Sequence, residues 1–381
     1  MKKLIFKKFL KDVTGFVLLV SISITLIVWV IQAVNFLDFV SEDGHSFKVY
    51  FYYTILHLPK IFSRVLPFIF FISVFYIIIK YENNNELVIF WTTGIKKIDF
   101  AKVLIKYSLL YIFLQISFYT YIVPKSQDLA RSFIRSSNVD FFPSLIKPGK
   151  FIDTVSNLTI FIDNETANGQ FNNIFLKDSF NEEQSQIISA KTGRIIKQDK
   201  NNYLILEDGK FINNDRGEIT VFSFEKTEFN LSKYQTKTTI TPKVQELSTL
   251  LILKCYMFIQ KENNEFYKKY SQNSKINYGS LRCVESFLSP LKQEIFKRFY
   301  MPFYFPLICL ISCLLITKSK DNYNYTKFKF LLFSTGIFVI ILSELSVRYS
   351  GINNWYSSLF ISIPIFLFLI TYLYFFKKAK T

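Results

Sequence analysis

The sequence lacks the motifs that mark most enzymes and nucleotide-driven machines. It has no G-x-x-x-x-G-K-[ST] phosphate loop, so ATP hydrolysis by this chain itself is not indicated. His45 and His57 are its only histidines, and no His, Cys, Asp or Glu cluster has metal-site spacing. No nucleophile and base stand in a recognisable catalytic pattern. We therefore expect neither an enzyme nor a metal or cofactor site.

Acidic residues are also scarce, with 29 Asp and Glu against 46 Lys and Arg, which gives a formal net charge of +17. Half of the 381 residues are hydrophobic and 18% are aromatic, so a disordered chain is excluded. A nucleic-acid-binding protein would account for the charge but not for long apolar runs. The charge therefore has to be interpreted together with the positions of those runs.

Six apolar runs are long enough to cross a hydrocarbon core of about 30 Å. They lie at residues 13–37, 52–79, 107–123, 299–317, 330–347 and 355–376. The third is expected to stop at Pro124. The first follows several Lys, but it is too long for a signal peptide and no small-residue cleavage site follows it. The sequence thus predicts three spans, a long insert and three further spans.

Lysine is unevenly distributed around these runs, which predicts the orientation of the chain. Four flanks on one side are rich in Lys: residues 2–12, 80–102, 318–329 and 377–381. Together they hold sixteen Lys and five acidic residues, whereas the opposite short loops, 39–51 and 349–354, contain a single Lys. Because Lys and Arg are retained on the cytoplasmic side, both termini are predicted to be cytoplasmic and the insert to lie across the membrane.

The insert changes to short β-type runs between about residues 151 and 231. These runs are Leu158–Ile162, Ile174–Lys177, Tyr203–Leu206 and Ile219–Phe224, separated by turn pairs such as Asn168-Gly169 and Asp208-Gly209. The spacing predicts an antiparallel sandwich or jelly roll. Alternation places Leu158, Ile160 and Ile162 on one face. Two interpretations stay open: a core covered on both faces, or a sandwich that opens to hold an acyl chain.

Residues 243–297 predict a charged helical connector that leads to the fourth run. Its apolar segment Leu250–Ile259 is too short to cross a membrane, so we expect it to pack against the β-domain or the membrane surface. Cys255 and Cys283 both fall in the exported region, and the sequence leaves open whether they form a disulfide.

The stretch between the second and third runs, residues 82–94, predicts a short amphipathic helix. Glu82 and Glu86 form its acidic face. Its apolar stripe consists of Leu87, Phe90 and Trp91, and Gly94 is the expected C-cap. Such a helix fits a groove in a protein partner. The alternative is a helix that lies on lipid, which the aromatic residues favour and the acidic residues disfavour, since the cytoplasmic leaflet is anionic.

The order of these features resembles the LptF/LptG permeases of the lipopolysaccharide export transporter. The shared layout is three spans, an exported β-domain and three spans, with a Glu eight residues before a Gly in the loop after span two. Supporting motifs, each unspecific alone, are Asn173-Ile-Phe-Leu-Lys-Asp178, Ala190-Lys-Thr-Gly193, Leu206-Glu-Asp-Gly209, Glu294 with Arg298, and Pro302. The resemblance covers nearly the whole chain.

The resemblance implies a non-catalytic subunit of the Gram-negative inner membrane with a periplasmic insert. Family members pair with a second LptF/LptG-type permease and bind a cytoplasmic LptB-like ATPase dimer, which uses the ATP. They extract lipopolysaccharide from the membrane and pass it to an LptC/LptA-like periplasmic bridge. Nucleic acid is not among the expected partners. Spans one and five are expected to line a lateral gate, and the insert to guide acyl chains.

The same resemblance implies roles for particular residues. Glu86 matches the carboxylate of the helix that couples to the ATPase, and the supporting residues on this segment are Glu82, Leu87, Phe90 and Gly94. At the far ends of the spans, Lys60, Arg64 and Arg348 are expected to meet lipid phosphates. Glu344 and Arg348 lie four residues apart in span five, where they form either part of the gate or an interfacial ion pair.

The predicted fold class is an α-helical polytopic membrane protein with six transmembrane helices and an inserted all-β, jelly-roll-like periplasmic domain. Its parts are a membrane half at 1–123, a periplasmic domain with a helical connector at 124–297, and a second membrane half at 298–381. The Phe-Leu-Lys-Asp strand, the Glu-x-x-x-Arg motif and Trp355 favour the LptF branch. The alternative function is a polytopic scaffold or mechanotransmitter that couples an ATPase to a periplasmic partner without moving lipid.

Overall fold

A computed structural model gives the architecture of the chain. It describes residues 2–37, 46–137, 148–155, 158–166, 169–181, 184–198, 201–215, 218–231, 243–262, 277–278, 281–283, 287–352 and 354–380. Six helical stretches in this part are long and apolar enough to span a membrane: Lys2–Asn35, Phe47–Asn83, Lys97–Ile134, Leu288–Thr317, Tyr325–Tyr349 and Trp355–Ala379. We number them spans one to six. Three precede and three follow the β-strands, which confirms the predicted fold class.

Three spans consist of several helical segments. Span two joins Phe47–Leu56 to Leu58–Asn83; span three joins Lys97–Ser117, a π-helical turn at Phe118–Ile122, and Val123–Ser137; span four joins Leu288–Phe299, Met301–Phe303, Tyr304–Cys313 and Leu314–Thr317. Helical structure continues past Pro124, where the sequence suggested a stop. Pro124 lies just after the π-helical turn, and its missing N–H group leaves the carbonyl of Thr120, four residues earlier, without that helical donor.

A helical unit comprises Met1–Val30, His57–Asp128 and Lys243–Thr381. Span four is the most enclosed of its spans, while few of the side chains of spans one and six are buried, as expected of surfaces that meet lipid or a partner helix. Span five approaches span two closely at Gly336, because the ring of Phe71 fills the space that a Cβ atom would take.

A second unit comprises Ile31–Leu56 and Leu129–Pro242 and contains an antiparallel sheet. Its strands are β1 Phe151–Val155, β2 Leu158–Glu165, β3 Gln170–Asn181, β4 Gln184–Gln198, β5 Asn201–Asp215 and β6 Glu218–Asn230. The strands lie in the sheet in chain order, so β1 and β6 form its two edges. Strands β1 and β4 were not among the β-type runs identified in the sequence.

One face of this sheet is packed and closed. Leu158, Ile160 and Ile162 are buried together, as their alternation predicted, and they join a core that includes residues of β3, β4 and β5. In β3 both Phe171 and Ile174 are buried although they are three residues apart. The backbone between them takes a positive φ of 51° at Asn173, while the pairing with β2 and β4 keeps one register on both sides, so a local turn of the backbone accounts for the change of face.

In the helical unit, helix Thr249–Glu262 packs against the helix Leu288–Phe299, which we call the connector helix. Ile252, Cys255 and Leu291 form their shared core. Cys255 is bonded to Cys283, with 5.7 Å between the Cα atoms, which answers the question that the sequence left open. Helix Thr249–Glu262, which contains the apolar segment that is too short to span, is thus fastened to the start of span four.

A fully buried arginine joins these elements. The Nε atom of Arg298 donates to Glu294 at 3.0 Å, and a terminal nitrogen donates to the hydroxyl of Thr249 at 2.7 Å. The other terminal nitrogen donates to the carbonyls of Gln245 at 3.3 Å and Leu247 at 3.0 Å. Burial of a charge is tolerated only when it is paired and hydrogen-bonded in this way.

Thr249 extends the Arg298 network to span three. Its hydroxyl donates to the carbonyl of Thr120 at 2.7 Å, inside the π-helical turn. A π-helical turn leaves carbonyls poorly paired, and this bond supplies a partner to one of them. The connector helix, helix Thr249–Glu262 and span three are therefore held by one continuous set of hydrogen bonds.

We predict that Arg298→Met, which keeps the side-chain volume, destabilises the protein by about 3–5 kcal/mol because it leaves the Glu294 carboxylate and two carbonyls without a donor. Thermal unfolding of the purified protein in detergent measures the effect. Lys254→Met, on the exposed face of helix Thr249–Glu262, serves as the control and should change stability by no more than about 0.5 kcal/mol. An unchanged unfolding temperature for Arg298→Met would show that the network is dispensable.

Candidate functional site

The segment between spans two and three folds into a two-turn helix, Leu87–Thr92, which we call the coupling helix. It ends at Gly94, whose φ of 73° lies in the region that favours glycine. The N–H of Gly94 donates to the carbonyl of Trp91 and the N–H of Ile95 to that of Phe90, both at 3.0 Å. These two bonds form a Schellman motif, so Gly94 ends the helix in the manner expected from the sequence.

Leu87 and Phe90 point into the core, each with 1% of its surface exposed. The ring of Phe90 lies 6.0 Å from that of Phe9 in span one and 5.3 Å from that of Phe100 in span three. Phe9 also makes an edge contact with Tyr81 of span two, at 5.0 Å. Leu87 and Phe90, which we expected on the partner-facing surface, are therefore closed to a partner and anchor the coupling helix instead.

The outward apolar surface of the coupling helix consists of Val88 and Ile89, which are 50% and 51% exposed. Sequence reasoning missed both, because the apolar stripe was assigned to the positions that turn inward. A signal was present: the segment is apolar on all sides, so whichever face packs inward, another apolar face remains outside.

Glu82 joins the loop between spans four and five to the end of span two. Its Oε1 atom accepts the backbone N–H of Lys320 at 3.0 Å, in the loop between spans four and five. The Lys320 ammonium in turn donates to the side-chain oxygen of Asn85 at 2.5 Å. Glu82 therefore joins the two loops, and its carboxylate is engaged within the chain.

Glu86 lies immediately before the coupling helix and is partly exposed. One carboxylate oxygen accepts the side-chain amide of Asn84 at 3.1 Å, and the other lies 3.9 Å from the ammonium of Lys8. Such an exposed ion pair contributes about 0–1 kcal/mol, so a partner can displace it at little cost. Glu86 and the Val88–Ile89 surface occupy the same short segment.

Three kinds of contact tie the start of span one to the end of span two and to the coupling helix with its C-terminal Gly94. The ammonium of Lys2 donates to the carbonyl of Gly94 at 3.0 Å, and the hydroxyl of Tyr81 donates to the carboxylate of Asp12 at 2.5 Å. The ring of Phe6 makes an edge contact with that of Phe90 at 5.5 Å. Since span one is a single helix from Lys2 to Asn35, displacement of the coupling helix acts on one end of a rigid rod.

At the opposite end of span two, Lys60 and Arg64 line a small cavity with Lys297 of the connector helix. Its volume is about 80 Å³, room for two or three waters or one small anionic group. The Lys297 ammonium lies 5.1 Å from the centre of the Tyr119 ring. Sequence reasoning missed Lys297, although it adjoins the conspicuous Arg298.

The polar character of this cavity follows from the network described above. Its further polar lining residues are Tyr119, Gln127, Gln245 and Glu294. The carboxylate of Glu294 is already paired with the buried Arg298, so it offsets little of the charge of the three cations. The cavity is therefore suited to an anion.

Arg348 is exposed and is not among the residues that line this cavity. Its backbone carbonyl accepts the side-chain amide of Gln293 at 2.9 Å, which links span five to the connector helix. Glu344 is half-buried, and within the described part of the chain the ion pairs are Lys8–Glu86, Lys191–Asp208 and Glu294–Arg298. A role for Glu344 and Arg348 in gating stays a prediction.

The β-domain presents two surfaces besides its closed core. A groove of about 990 Å³ crosses the other face of the sheet and is lined by Phe161, Phe175 and the Lys191–Asp208 ion pair, among other residues. The edge strand β6 exposes a row of apolar side chains at Ile219, Val221 and Phe222. Exposed apolar edge strands favour pairing with another strand.

Comparison with known proteins assigns the chain to a group of relatives. The sequence profile of the family described as "Lipopolysaccharide export system permease LptF/LptG" matches residues 7–378. The profile covers both branches together and does not separate LptF from LptG. A protein of Rickettsia prowazekii (strain Madrid E), named uncharacterized protein RP871, is 24% identical over 373 residues, which cover 96% of this chain and 98% of the relative.

Proposed function

The chain belongs to the LptF/LptG family of lipopolysaccharide export permeases, and from that premise we propose that it is one of two permease subunits driven by a separate ATPase. Six apolar helices and the family place it in the bacterial inner membrane. The observation that carries the proposal is the coupling helix, which is anchored from within and exposes Glu86, Val88 and Ile89 outward.

An ATPase groove would meet both a charge and an apolar contact on this surface. Val88 and Ile89 supply the apolar contact, and Glu86 supplies a carboxylate that can exchange its weak pairing with Lys8 for a partner's cation. The buried Leu87 and Phe90 keep the helix from rotating when it is pushed. Movement of the helix is then transmitted to span one through Phe9.

The proposed orientation has the coupling helix in the cytoplasm and the β-domain in the periplasm. The Lys-rich flanks support it, since positive residues are retained on the cytoplasmic side. The bond between Cys255 and Cys283 supports it independently, because disulfides persist in the oxidising periplasm and are rare in the cytosol. Both cysteines belong to the part of the chain that the charge pattern assigns to the periplasm.

We assign the cavity of Lys60, Arg64 and Lys297 to the phosphates of lipopolysaccharide. Three cations from two elements converge on a space that accepts one anionic group. In the proposed orientation the cavity lies near the outer leaflet, where lipopolysaccharide is collected. Arginine and lysine both bind phosphate through charge-assisted hydrogen bonds.

We assign the β6 edge to the periplasmic bridge. A bridge protein built from β-strands can continue the sheet by adding a strand to β6, which would bury the exposed Val221 and Phe222. The apolar core face of the sheet, which includes residues of β2 and β3, would then continue into the partner as a path for acyl chains. The second permease subunit is expected to cover the exposed apolar length of span one or span five.

For the coupling helix, we predict that Glu86→Lys reduces co-purification of the ATPase at least tenfold, equivalent to about 1.4 kcal/mol. Val88→Asp should act in the same direction, because it places a charge in the apolar contact. Pull-down of the detergent-solubilised complex measures the loss. Asp321→Lys, on the neighbouring loop, is the matched charge reversal and should bind normally. Full complementation and normal binding by Glu86→Lys would exclude the assignment.

For the cation cavity, we predict that the double variant Lys60→Gln/Arg64→Gln lowers capture of lipopolysaccharide several-fold. Capture is measured with a photo-crosslinking residue at Val123, which lines the cavity. Lys125→Gln removes an exposed cation of span three that does not line the cavity, and it serves as the control. Equal capture by the double variant and the parent would remove the phosphate assignment.

For the β-domain, we predict that a photo-crosslinker at Val221 captures a periplasmic protein of the bridge, identified by mass spectrometry. The same probe at Phe151, equally exposed on the opposite edge strand, should capture none. A probe at the buried Leu176 should capture lipopolysaccharide instead. Capture of the bridge from Phe151 alone would move the contact to the β1 edge.

A further inference from the structure

Two cavities on the helical unit meet at Ser358, near the start of span six. The first has a volume of about 290 Å³ and lies among helix Thr249–Glu262, the connector helix and the start of span six. The second is an open groove of about 400 Å³ that follows span six from Trp355 to Phe366. Ser358 lines both, so the polar cavity and the groove adjoin at this residue.

The first cavity carries the groups that bind a phosphate. Its polar lining includes the ammonium of Lys292, the phenols of Tyr256 and Tyr300, and the hydroxyl group of Ser358, while the hydroxyl hydrogen of Ser357 is donated to the carbonyl of Ser350. Lysine is a common phosphate-binding cation, and hydroxyl groups add hydrogen bonds to phosphate oxygens. Lys292 is the one formally charged residue among the described residues that line this cavity.

The position of these groups is fixed by contacts within the unit. Lys292 and Phe296 are four residues apart on the connector helix and therefore share one face. Tyr256 follows Cys255, whose disulfide holds its helix against the connector. The hydroxyl of Ser357 donates to the carbonyl of Ser350 at 2.5 Å, which fixes the turn between spans five and six.

The groove has the depth of one lipid leaflet. Leu359, Ile363 and Phe366 follow at helical spacing and line it along one face of span six. From Trp355 to Phe366 the helix rises about 16 Å, close to half of a hydrocarbon core of about 30 Å. An acyl chain that begins at the polar cavity would therefore end near the middle of the membrane.

We propose that these joined cavities bind a resident anionic phospholipid, with its phosphate at Lys292 and one acyl chain along span six. The site would face the outer leaflet, and this assignment rests on the orientation proposed for the export permease. A glycerophospholipid fits better than the transported lipopolysaccharide, because the site offers one cation and one groove to a cargo with several phosphates and chains. A helix of a partner protein could cover the groove on span six, but it would leave the polar cavity unfilled. A lipid with a phosphate and an acyl chain would fill both.

A lipid in this position would stabilise the same elements that the Arg298 network joins. Its headgroup would bridge helix Thr249–Glu262, the connector helix and span six, which contribute Tyr256, Lys292 and Ser358. The site is separate from the cavity of Lys60, Arg64 and Lys297, with which it shares no lining residue. It is therefore expected to affect retention of lipid and thermal stability without contacting the cargo.

Native mass spectrometry and lipid extraction of the purified complex in mild detergent test the proposal. We expect a retained phosphatidylglycerol-type lipid that falls at least fivefold in Lys292→Met and in Ser358→Trp, which blocks the junction of the cavities. Lys292→Arg should keep the lipid, because the cation remains. Lys254→Met, on the neighbouring helix, is the matched control and should also keep it.

A second measurement identifies the lipid class. In nanodiscs that contain phosphatidylglycerol, the parent should unfold at a higher temperature than in nanodiscs of phosphatidylcholine alone, and Lys292→Met should lose this difference. Equal lipid retention by the parent, Lys292→Met and Ser358→Trp would overturn the proposal. Loss of bound lipopolysaccharide instead of phospholipid would also overturn it and assign the site to the cargo. Neither readout depends on export, so failure of the proposed permease function would be recognised separately.

Discussion

The buried guanidinium of Arg298 is the interaction on which the end of the helical unit that carries the connector helix depends. A charge in this position requires a complete set of acceptors, and Glu294, Thr249 and the carbonyls of Gln245 and Leu247 provide them. These acceptors come from elements that the chain order separates widely. Because Glu294 is paired with Arg298, its carboxylate offsets little of the positive charge of Lys60, Arg64 and Lys297, which line the nearby cavity.

The opposite end of the same spans is held by a different kind of interaction. There the rings of Phe9, Tyr81, Phe90 and Phe100 pack edge to face, and few polar contacts are buried. Closely packed rings keep their relative geometry, so a displacement of one ring is passed on to its neighbours. The proposed permease function would use both properties at the coupling helix, and a fixed charge distribution at the opposite end.

Much of the architecture could be predicted because it depends on local pattern. The six spans follow from the hydrocarbon thickness, and the common face of Leu158, Ile160 and Ile162 follows from the period of a strand. The Schellman end at Gly94 follows from its freedom to adopt positive φ. The family could also be identified, since the order of spans and insert is a property of the sequence.

The sequence by itself determined the fold class, the family, and the positions of the apolar spans and their Lys-rich flanks. Only the tertiary structure decided which face of the coupling helix is buried, because Leu87 and Val88 are equally apolar and packing against Phe9 selects between them. It likewise brought Lys297 to Lys60, paired Cys255 with Cys283, and joined two cavities at Ser358. These are contacts between distant segments, and hydropathy and local periodicity carry no information about distance between segments.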